Sequence, residues 1–176
     1  MTIGDAKIGI VAGAGPYAGI DLAQKILQQT RAKIDQDYLP TVSISTPADI
    51  ADRTSFLLGQ IEDNPGNAIF SNLSELADLG ATVVGIPCNT AHAPTIQKVF
   101  MKKLEQSEII VKVLDMISET IDFLKEACPE VKIVGVLSTI GTWKAGFYPK
   151  FLSEAGYQVR ILDEPKQQIL HDEALL

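Results

Sequence analysis

The sequence of 176 residues, of which 46% are hydrophobic and 21% charged, is long enough to bury a core and has an ordinary globular composition. Lysine and arginine number 15 against 22 aspartates and glutamates, and this net charge of −7 argues against a general nucleic-acid binder and against attachment to anionic membranes. No apolar run reaches the ~20 residues of a membrane span, and two cysteines with two histidines exclude a cysteine-rich zinc module or a disulfide framework. The first residues lack the basic and apolar blocks of a signal peptide, so we expect a cytoplasmic protein with reduced thiols.

Short apolar, β-branched runs alternate with longer helical patterns along the chain. The runs predicted as strands are residues 7–13, 41–47, 81–87, 109–113, 131–137 and 157–162. Several of them are apolar nearly throughout, which is typical of strands buried on both faces. The clearest helix patterns span residues 68–79, just before Gly80, and residues 117–127. The alternation predicts an α/β fold in which a parallel sheet is flanked by helices.

A weak internal repeat indicates two pseudo-symmetric halves. Residues 7–13 resemble residues 132–138, and each stretch is followed by a glycine turn, a helix pattern and another strand. In the first copy the pattern continues to a further strand and Cys88, whereas the counterpart of that strand would fall beyond the last residue. We therefore expect a first α/β domain over residues 1–115 that carries Cys88, and a second, truncated α/β domain over residues 116–176.

The sharpest local feature is the run PCNTAH at residues 87–92, which follows a predicted buried strand and precedes a helical stretch. In open α/β sheets, ligands bind beyond the carboxyl ends of the strands, which is where Cys88 is expected. A free thiol is mostly un-ionised at pH 7, and amides at a helix N-terminus favour its thiolate form. Asn89 and Thr90 add hydrogen-bonding groups beside it, so the pattern favours a reactive cysteine over a buried structural one.

The other cysteine and the two histidines carry weaker signals. Cys128 continues the apolar face of the helix predicted at residues 117–127, so it is expected to pack in the core. His92 follows Cys88 by four residues, and two roles fit that spacing equally well. It is either part of a Cys–His pair for nucleophilic catalysis or a helix histidine bonded to a neighbouring loop. His171, near the C-terminus, carries no signal by itself.

Three further segments follow predicted strands. Gly13 begins a turn whose GxGxxxG spacing differs from the dinucleotide fingerprint, and whose free amides suit a small carboxylate, a phosphate or a plain strand–helix turn. Arg53 follows the second strand, where it either binds a carboxylate through its planar guanidinium or pairs with Asp49 or Asp52 on the surface. Residues 138–142 form the second glycine turn and carry hydroxyls where the first copy has backbone.

Taken together, these segments resemble the aspartate/glutamate racemase family. Residues 87–92 resemble its PCNTAH signature, residues 8–16 (IGIVAGAGP) its glycine-rich opening, residues 52–54 its DRT segment, and residues 137–142 its ATxGT turn. Residues 163–168 fall where the family has an acidic, glutamine-containing segment. The resemblance covers essentially the whole chain, in order.

The resemblance implies an aspartate or glutamate racemase with two α/β domains around a pseudo-twofold axis, working without pyridoxal phosphate, metal or another cofactor. In such enzymes one cysteine from each half transfers a proton at Cα, which implies Cys88 as one acid/base. The second family cysteine follows a strand that this chain lacks, and Cys128 does not match it. We therefore expect the 176-residue chain alone to racemise very slowly. The implied partners are a small amino-acid substrate and a second copy in a homodimer, with no nucleic acid and no membrane.

The resemblance also implies the substrate-binding residues. Asn89 and Thr90 would hold the α-carboxylate, and Arg53 or Lys166 would bind the distal carboxylate. In the first turn alanines replace the glycine and methionine that are usual in the family, so backbone amides rather than side chains are expected to contact the substrate there. The implied substrate-binding residues are Gly13, Arg53, Asn89, Thr90, Thr139, Gly141, Thr142 and Lys166.

Two other functions fit the same residues. A hydantoin racemase or a decarboxylase would use the same cysteine on a related substrate. A non-catalytic α/β module that binds a carboxylate or a nucleotide would need the glycine turns but not the thiol. Dependence on Cys88 therefore separates the enzymes from the binding module.

Overall fold

The strands of the computed structural model, which describes residues 6–174, form two parallel sheets. The larger sheet, with strand order β2-β1-β3-β4, contains β1 (Ile8–Val11), β2 (Thr41–Ile44), β3 (Val83–Gly85) and β4 (Lys112–Val113). The smaller sheet contains β5 (Ile133–Val136) and β6 (Gln158–Ile161). All pairings are parallel, so the α/β fold predicted from the strand–helix alternation is confirmed.

Helices occupy the connections between the strands. In chain order they are α1 (Pro16–Gln29), α2 (Arg53–Leu57), α3 (Gly66–Asp78), α4 (Pro94–Glu105), α5 (Met116–Ala127), α6 (Ile140–Ala145), α7 (Phe147–Glu154) and α8 (Glu164–Ala174). The two helices predicted most clearly are confirmed within two residues as α3 and α5, and Gly80 follows α3 with a left-handed φ of 86°. Within residues 6–174, no helix has the length and apolar character that crossing a bilayer requires.

The buried core centres on the larger sheet. Ile10, Val11 and Val84 of its two central strands are fully buried. Val11 and Val84 share a buried cluster with Leu73 of α3 and Phe100 of α4, which are also fully buried. Burying a side chain of this size stabilises the fold by about 1.5–3 kcal/mol. The strands β1 and β3, which end at the first glycine turn and at the cysteine motif, are therefore the most firmly held part of the structure.

The smaller sheet is buried much less than the sequence pattern predicts. Val134, Val136 and Val159 are partly buried and pack against the core, while residues on the other face are exposed. On that other face Ile133 is 48% exposed, and even on the packed face Ile161, at the end of β6, is 49% exposed. β5 and β6 are therefore not strands buried on both faces, because the described helices cover only one face of this sheet.

Two features bear on the predicted halves. Each of β1 and β5 begins a strand–helix–strand unit whose two strands pair in parallel, and β5 begins 125 residues after β1, at the offset of the sequence repeat. A single buried cluster, however, contains Val84, Ile117 and Leu152. The division into domains at residues 115 and 116 therefore stays a prediction.

Candidate active site

The residues after β3 form a 3₁₀ turn rather than the start of a long helix. Cys88 precedes the turn Asn89–His92, and α4 begins only at Pro94, whose missing N–H is tolerated in the first turn of a helix. Cys88 N donates to the carbonyl of Ile86 at 2.8 Å, and Ala91 N donates to the carbonyl of Cys88 at 3.1 Å. Cys88 thus lies beyond the carboxyl end of β3, as expected, but not at the N-terminus of α4.

Cys88 is half-buried and borders a cavity of about 970 Å³. Its walls come from the carboxyl ends of strands in both sheets and from the end of the chain, namely segments 14–18, 52–60, 87–90, 137–144 and 168–172. This volume lies in the range of small-molecule sites. Within residues 6–174, no group of three or more His, Cys, Asp or Glu side chains is placed to hold a metal ion.

The structure brings most of the predicted site residues together at this cavity. Those that line it are Arg53, Cys88, Asn89, Thr90, Thr139 and Thr142. They follow strands of both sheets. The cavity therefore lies between two units, the first being the larger sheet with its connections and the second the smaller sheet with its connections.

Three of the predicted residues do not line this cavity. A Cβ on Gly13 would come within 2.8 Å of the backbone nitrogen of Thr46, and a Cβ on Gly141 within 2.9 Å of Thr54 Cα, so these glycines allow close backbone packing instead of lining the cavity. The exposed Lys166 turns toward Asp163, with 2.6 Å between Nζ and Oδ2. Of the two candidates for the distal carboxylate, only Arg53 faces the cavity.

Hydroxyl groups from the two units meet at the cavity wall. Thr90 Oγ1, in the turn after Cys88, lies 3.2 Å from Thr142 Oγ1 in α6. Thr139, which caps α6, donates its hydroxyl to Thr142 Oγ1 at 3.3 Å. Because a hydroxyl both donates and accepts, this chain can turn a donor toward a bound carboxylate oxygen without breaking the contact between the units.

Arg53 is held at the cavity by the turn after β1. Its Nη2 donates to the carbonyl of Ala14 at 2.6 Å, and its Nε is buried without a hydrogen-bond partner. Among the described residues, no ion pair joins Arg53 to Asp49 or Asp52, so the alternative of a surface salt bridge is not found. Partial burial would raise the pKa of Asp52, but hydrogen bonds from Ser55 and the charge of Arg53 hold it below its usual value.

His92 is a buried structural histidine in this arrangement. Its ring is 1% exposed, and Nε2 donates to the carbonyl of Ile86 at 3.1 Å, which closes the turn behind Cys88. Burial lowers the pKa of His92 and outweighs the hydrogen bond to Ile86 and the charge of Asp115, both of which act in the opposite direction. Within the described part of the chain, His92 makes no hydrogen bond to Cys88, so the geometry favours the second of its two predicted roles.

Cys128 lies at the end of α5 and away from the cavity. It is half-buried and is not part of the buried core or of the residues packed against it. Its backbone leaves the helix at φ −135° and ψ 54°, which removes the side chain from the apolar face. The prediction of core packing for Cys128 is therefore wrong.

Sequence reasoning missed the residues that α8 and α6 contribute. Gln168, His171 and Lys144 line the cavity, although none of them was predicted as a site residue. Gln167 is fully buried, and its Nε2 donates to the carbonyl of Ser138 at 2.6 Å, so it ties α8 to the turn after β5. The glutamine pair in segment 163–168 was a signal for this element, but it did not show which side chain faces the cavity.

Comparisons with known proteins agree with this fold. The family described as Asp/Glu/Hydantoin racemase matches residues 11–174. The broad specificity amino-acid racemase RacX of Bacillus subtilis is 29% identical over 167 residues, which are 92% of this chain and 67% of that protein. The aspartate racemase of Picrophilus torridus is 28% identical with a TM-score of 0.74, covering 93% of this chain and 65% of that one.

A more distant structure shares the fold alone. The glutamate racemase of Aquifex pyrophilus is 24% identical with a TM-score of 0.60, and the match covers 96% of this chain and 62% of that one. The chain spans about two thirds of the length of these relatives. The family match extends over nearly all of the described residues, including both walls of the cavity. The chain belongs to the Asp/Glu/Hydantoin racemase family.

Proposed function

We propose that this chain moves a proton at Cα of an amino acid, as the racemases of its family do, with Cys88 as the acid/base. The observation that carries the proposal is the position of Cys88 beyond the end of β3, at a cavity where hydroxyls from both units converge. Two relatives are named as amino-acid racemases, one of broad specificity and one for aspartate, which supports the same class of reaction.

The chemistry begins with the sulfur of Cys88. Its thiolate takes the proton from Cα, so that the Cα–H bond breaks, an S–H bond forms, and the electron pair moves into the substrate carboxylate. Returning the proton to the same face regenerates the thiolate and the original stereoisomer. The net result on one face is exchange of the Cα hydrogen with solvent whenever the thiol equilibrates with water.

The developing charge on the carboxylate needs hydrogen-bond donors. Asn89, Thr90 and Thr142 line the cavity beside the thiol. They offer the amide of Asn89 and one hydroxyl hydrogen, because the bond between Thr90 and Thr142 uses the other. Removing a single well-placed donor of this kind typically costs about 10²–10³ in rate. The chain of hydroxyls between Thr90 and Thr142 places these donors without requiring the side chains to move.

Racemisation also needs a proton donor on the opposite face of Cα. The chain contains two cysteines, and the other one, Cys128, lies at the end of α5 and does not line the cavity. We therefore expect the 176-residue chain to exchange the Cα hydrogen much faster than it inverts the stereocentre.

An acidic amino acid fits the charges of the cavity. Arg53 lines it with a guanidinium held near the first turn, and Lys144 adds a second cation on the opposite wall. A planar guanidinium can bind a distal carboxylate through two parallel hydrogen bonds. Asp52 and Asp172 also line the cavity, and their charges suit the α-ammonium group rather than a purely anionic ligand. Aspartate and glutamate carry both charges.

The test follows deuterium incorporation at Cα of L-aspartate in D₂O by proton NMR. We expect Cys88→Ala to slow the exchange by about 10²–10⁴-fold, because the acid/base is gone, and Cys128→Ala to leave it unchanged. Chiral chromatography of the same samples measures inversion, which we expect to lag far behind exchange. L-alanine and a hydantoin serve as comparison substrates for the role of Arg53.

Each result separates the alternatives. Exchange that persists in Cys88→Ala would contradict the proposed acid/base. Binding of L-aspartate without any exchange, and indifferent to Cys88, would favour a non-catalytic carboxylate-binding module. Inversion as fast as exchange in the 176-residue chain would contradict the need for an additional group on the opposite face.

A further inference from the structure

The side chain of Asn89 is linked to the second unit by a tyrosine. The hydroxyl of Tyr148, in α7, donates to Asn89 Oδ1 at 2.5 Å. Asn89 itself is exposed, and within residues 6–174 its Nδ2 makes no hydrogen bond to protein. An exposed asparagine without such a link keeps its rotational freedom, so this contact is what fixes the amide.

The link constrains which end of the amide faces the cavity. Asn89 lines the 970 Å³ cavity on one side and a smaller pocket of about 260 Å³ on the other, and Tyr148 lines the smaller pocket. A side-chain amide has its acceptor and its two donors on different atoms. With Oδ1 held by Tyr148, the Nδ2 donors are left for a carboxylate in the larger cavity.

The fold keeps Tyr148 in a donating form and in one place. Burial raises the pKa of Tyr148 to about 12, with the charge of Asp115 acting in the same direction, so the phenol stays protonated over the physiological range. Its ring lies 5.3 Å from that of the buried Phe147. Gly146, with a left-handed φ of 66°, separates α6 from α7 and lets one short segment supply both Thr142 and Tyr148 to the cysteine turn.

We propose that Tyr148 is a positioning residue that holds the Asn89 amide with its Nδ2 donors directed at the carboxylate of the ligand. It acts through Asn89 and does not touch the ligand itself. The part of this inference that concerns a ligand rests on the proposed function, whereas the orientation of Asn89 does not.

The first test reads the orientation without any ligand. The side-chain amide signals of Asn89 are identified in ¹⁵N-labelled protein as those lost in Asn89→Asp. We expect Tyr148→Phe to shift these signals and to increase their hydrogen exchange, since the amide loses its only fixed partner. Tyr157→Phe is the matched control, because Tyr157 is another half-buried tyrosine packed on the core, and its hydroxyl makes no hydrogen bond within the described residues. Unchanged Asn89 signals in Tyr148→Phe would overturn the inference.

The second test asks whether Tyr148 acts through Asn89. L-aspartate is titrated calorimetrically into the unmodified chain, Tyr148→Phe, Asn89→Ala and the double variant. We expect Tyr148→Phe alone to raise Kd about threefold to tenfold, as the loss of one hydrogen bond does, and to have no further effect in Asn89→Ala. Additive effects would show an independent structural role and overturn the inference.

The two tests also separate this inference from the proposed function. If L-aspartate does not bind the unmodified chain, the proposed function fails, while the amide signals still decide whether Tyr148 orients Asn89. Urea unfolding of every variant shows whether a weaker Kd comes from loss of fold, and a Tyr148→Phe chain that binds normally while its Asn89 signals shift would overturn the role in ligand binding alone.

Discussion

The two walls of the cavity are built from sheets of very different burial. The cysteine wall follows β3, a central strand of the larger sheet, where Ile10, Val11 and Val84 are fully buried. The opposite wall follows β5, which belongs to the two-stranded sheet. Leu137, the residue directly after β5, is 69% exposed. A side chain is placed most accurately when the backbone below it is packed on both faces. Cys88 thus stands on the firmer support, and the hydroxyls of Thr139 and Thr142 stand on the weaker one.

Hydrogen bonds across the cavity therefore matter more for the second wall than for the first. Two isolated strands are marginal without further packing. The turn after β5 is instead held from outside its sheet, by Gln167 of α8 and by the contacts of Thr142 and Tyr148 with the cysteine turn. The position of the second wall therefore depends on its contacts with the first wall and with α8.

The largest expected change in the free energy of unfolding comes from truncating a leucine to alanine beside the larger sheet, and the same truncation beside the smaller sheet is its comparison. Leu73→Ala, in α3 over the larger sheet, should lower the free energy of unfolding by about 2–5 kcal/mol, because the residue is fully buried and the site cannot collapse. Leu137→Ala, after β5, should change it by less than about 0.5 kcal/mol. Urea unfolding followed by circular dichroism measures both. Similar losses at the two positions would mean that the smaller sheet is as well packed as the larger one.

Replacing a glycine by alanine in each of the two regions should change the stability less than the leucine truncations do. A Cβ on Gly19 of α1 would come within 2.9 Å of Ala12 Cα, whereas a Cβ on Gly135 of β5 would meet nothing within 4 Å. Gly19→Ala should destabilise the protein by about 1–2 kcal/mol, since overpacking against backbone exceeds the gain in helix propensity. Gly135→Ala should be neutral or slightly stabilising. A destabilising Gly135→Ala, measured by the same unfolding, would indicate that something covers β5 in solution.

The same comparison explains how much the sequence could predict. The larger sheet was predicted well because its strands are short apolar runs, and the glycine after α3 marked the end of that helix. The position of Cys88 followed from the end of a buried strand, which is a local property of the sequence. The low burial of β5 could not be predicted, because its apolar run resembles that of β1 while the covering layer depends on the rest of the structure.

The cavity residues from α8 were beyond sequence reasoning for a related reason. The side of α8 that faces the cavity carries no apolar stripe, and the buried Gln167 ties the helix to the carbonyl of Ser138 by a long-range hydrogen bond. Lys166 was placed in the site although it precedes the buried Gln167 by one residue and therefore points elsewhere. Gly13 and Gly141 were taken for substrate-binding positions, yet a glycine turn looks the same in sequence when it serves close packing.

The smallest expected effect concerns the pH dependence of the cysteine wall. The pKa of His92 is held below its ordinary value of about 6.5 by burial, so the folded protein binds a proton there less readily than the unfolded chain does. As pH falls below about 6.5, the unfolded state gains protons first and stability is lost, with a slope of at most about 1.4 kcal/mol per pH unit for one proton. The carboxyls of Asp52 and Asp115, whose pKa values are also lowered, would lose their contributions only nearer pH 4 and below.

Unfolding by urea between about pH 5.5 and 7.5 isolates the contribution of His92 from those carboxyls. We expect the unmodified chain to lose stability toward the acid end and His92→Gln to lose less, because the titrating group is gone. His171→Gln, which changes the other histidine of the chain, is the matched control and should keep the dependence that belongs to His92. A His92→Gln profile as steep as that of the unmodified chain would mean that the buried ring is not the group that titrates. His92 would then be more open to water than its 1% exposure implies.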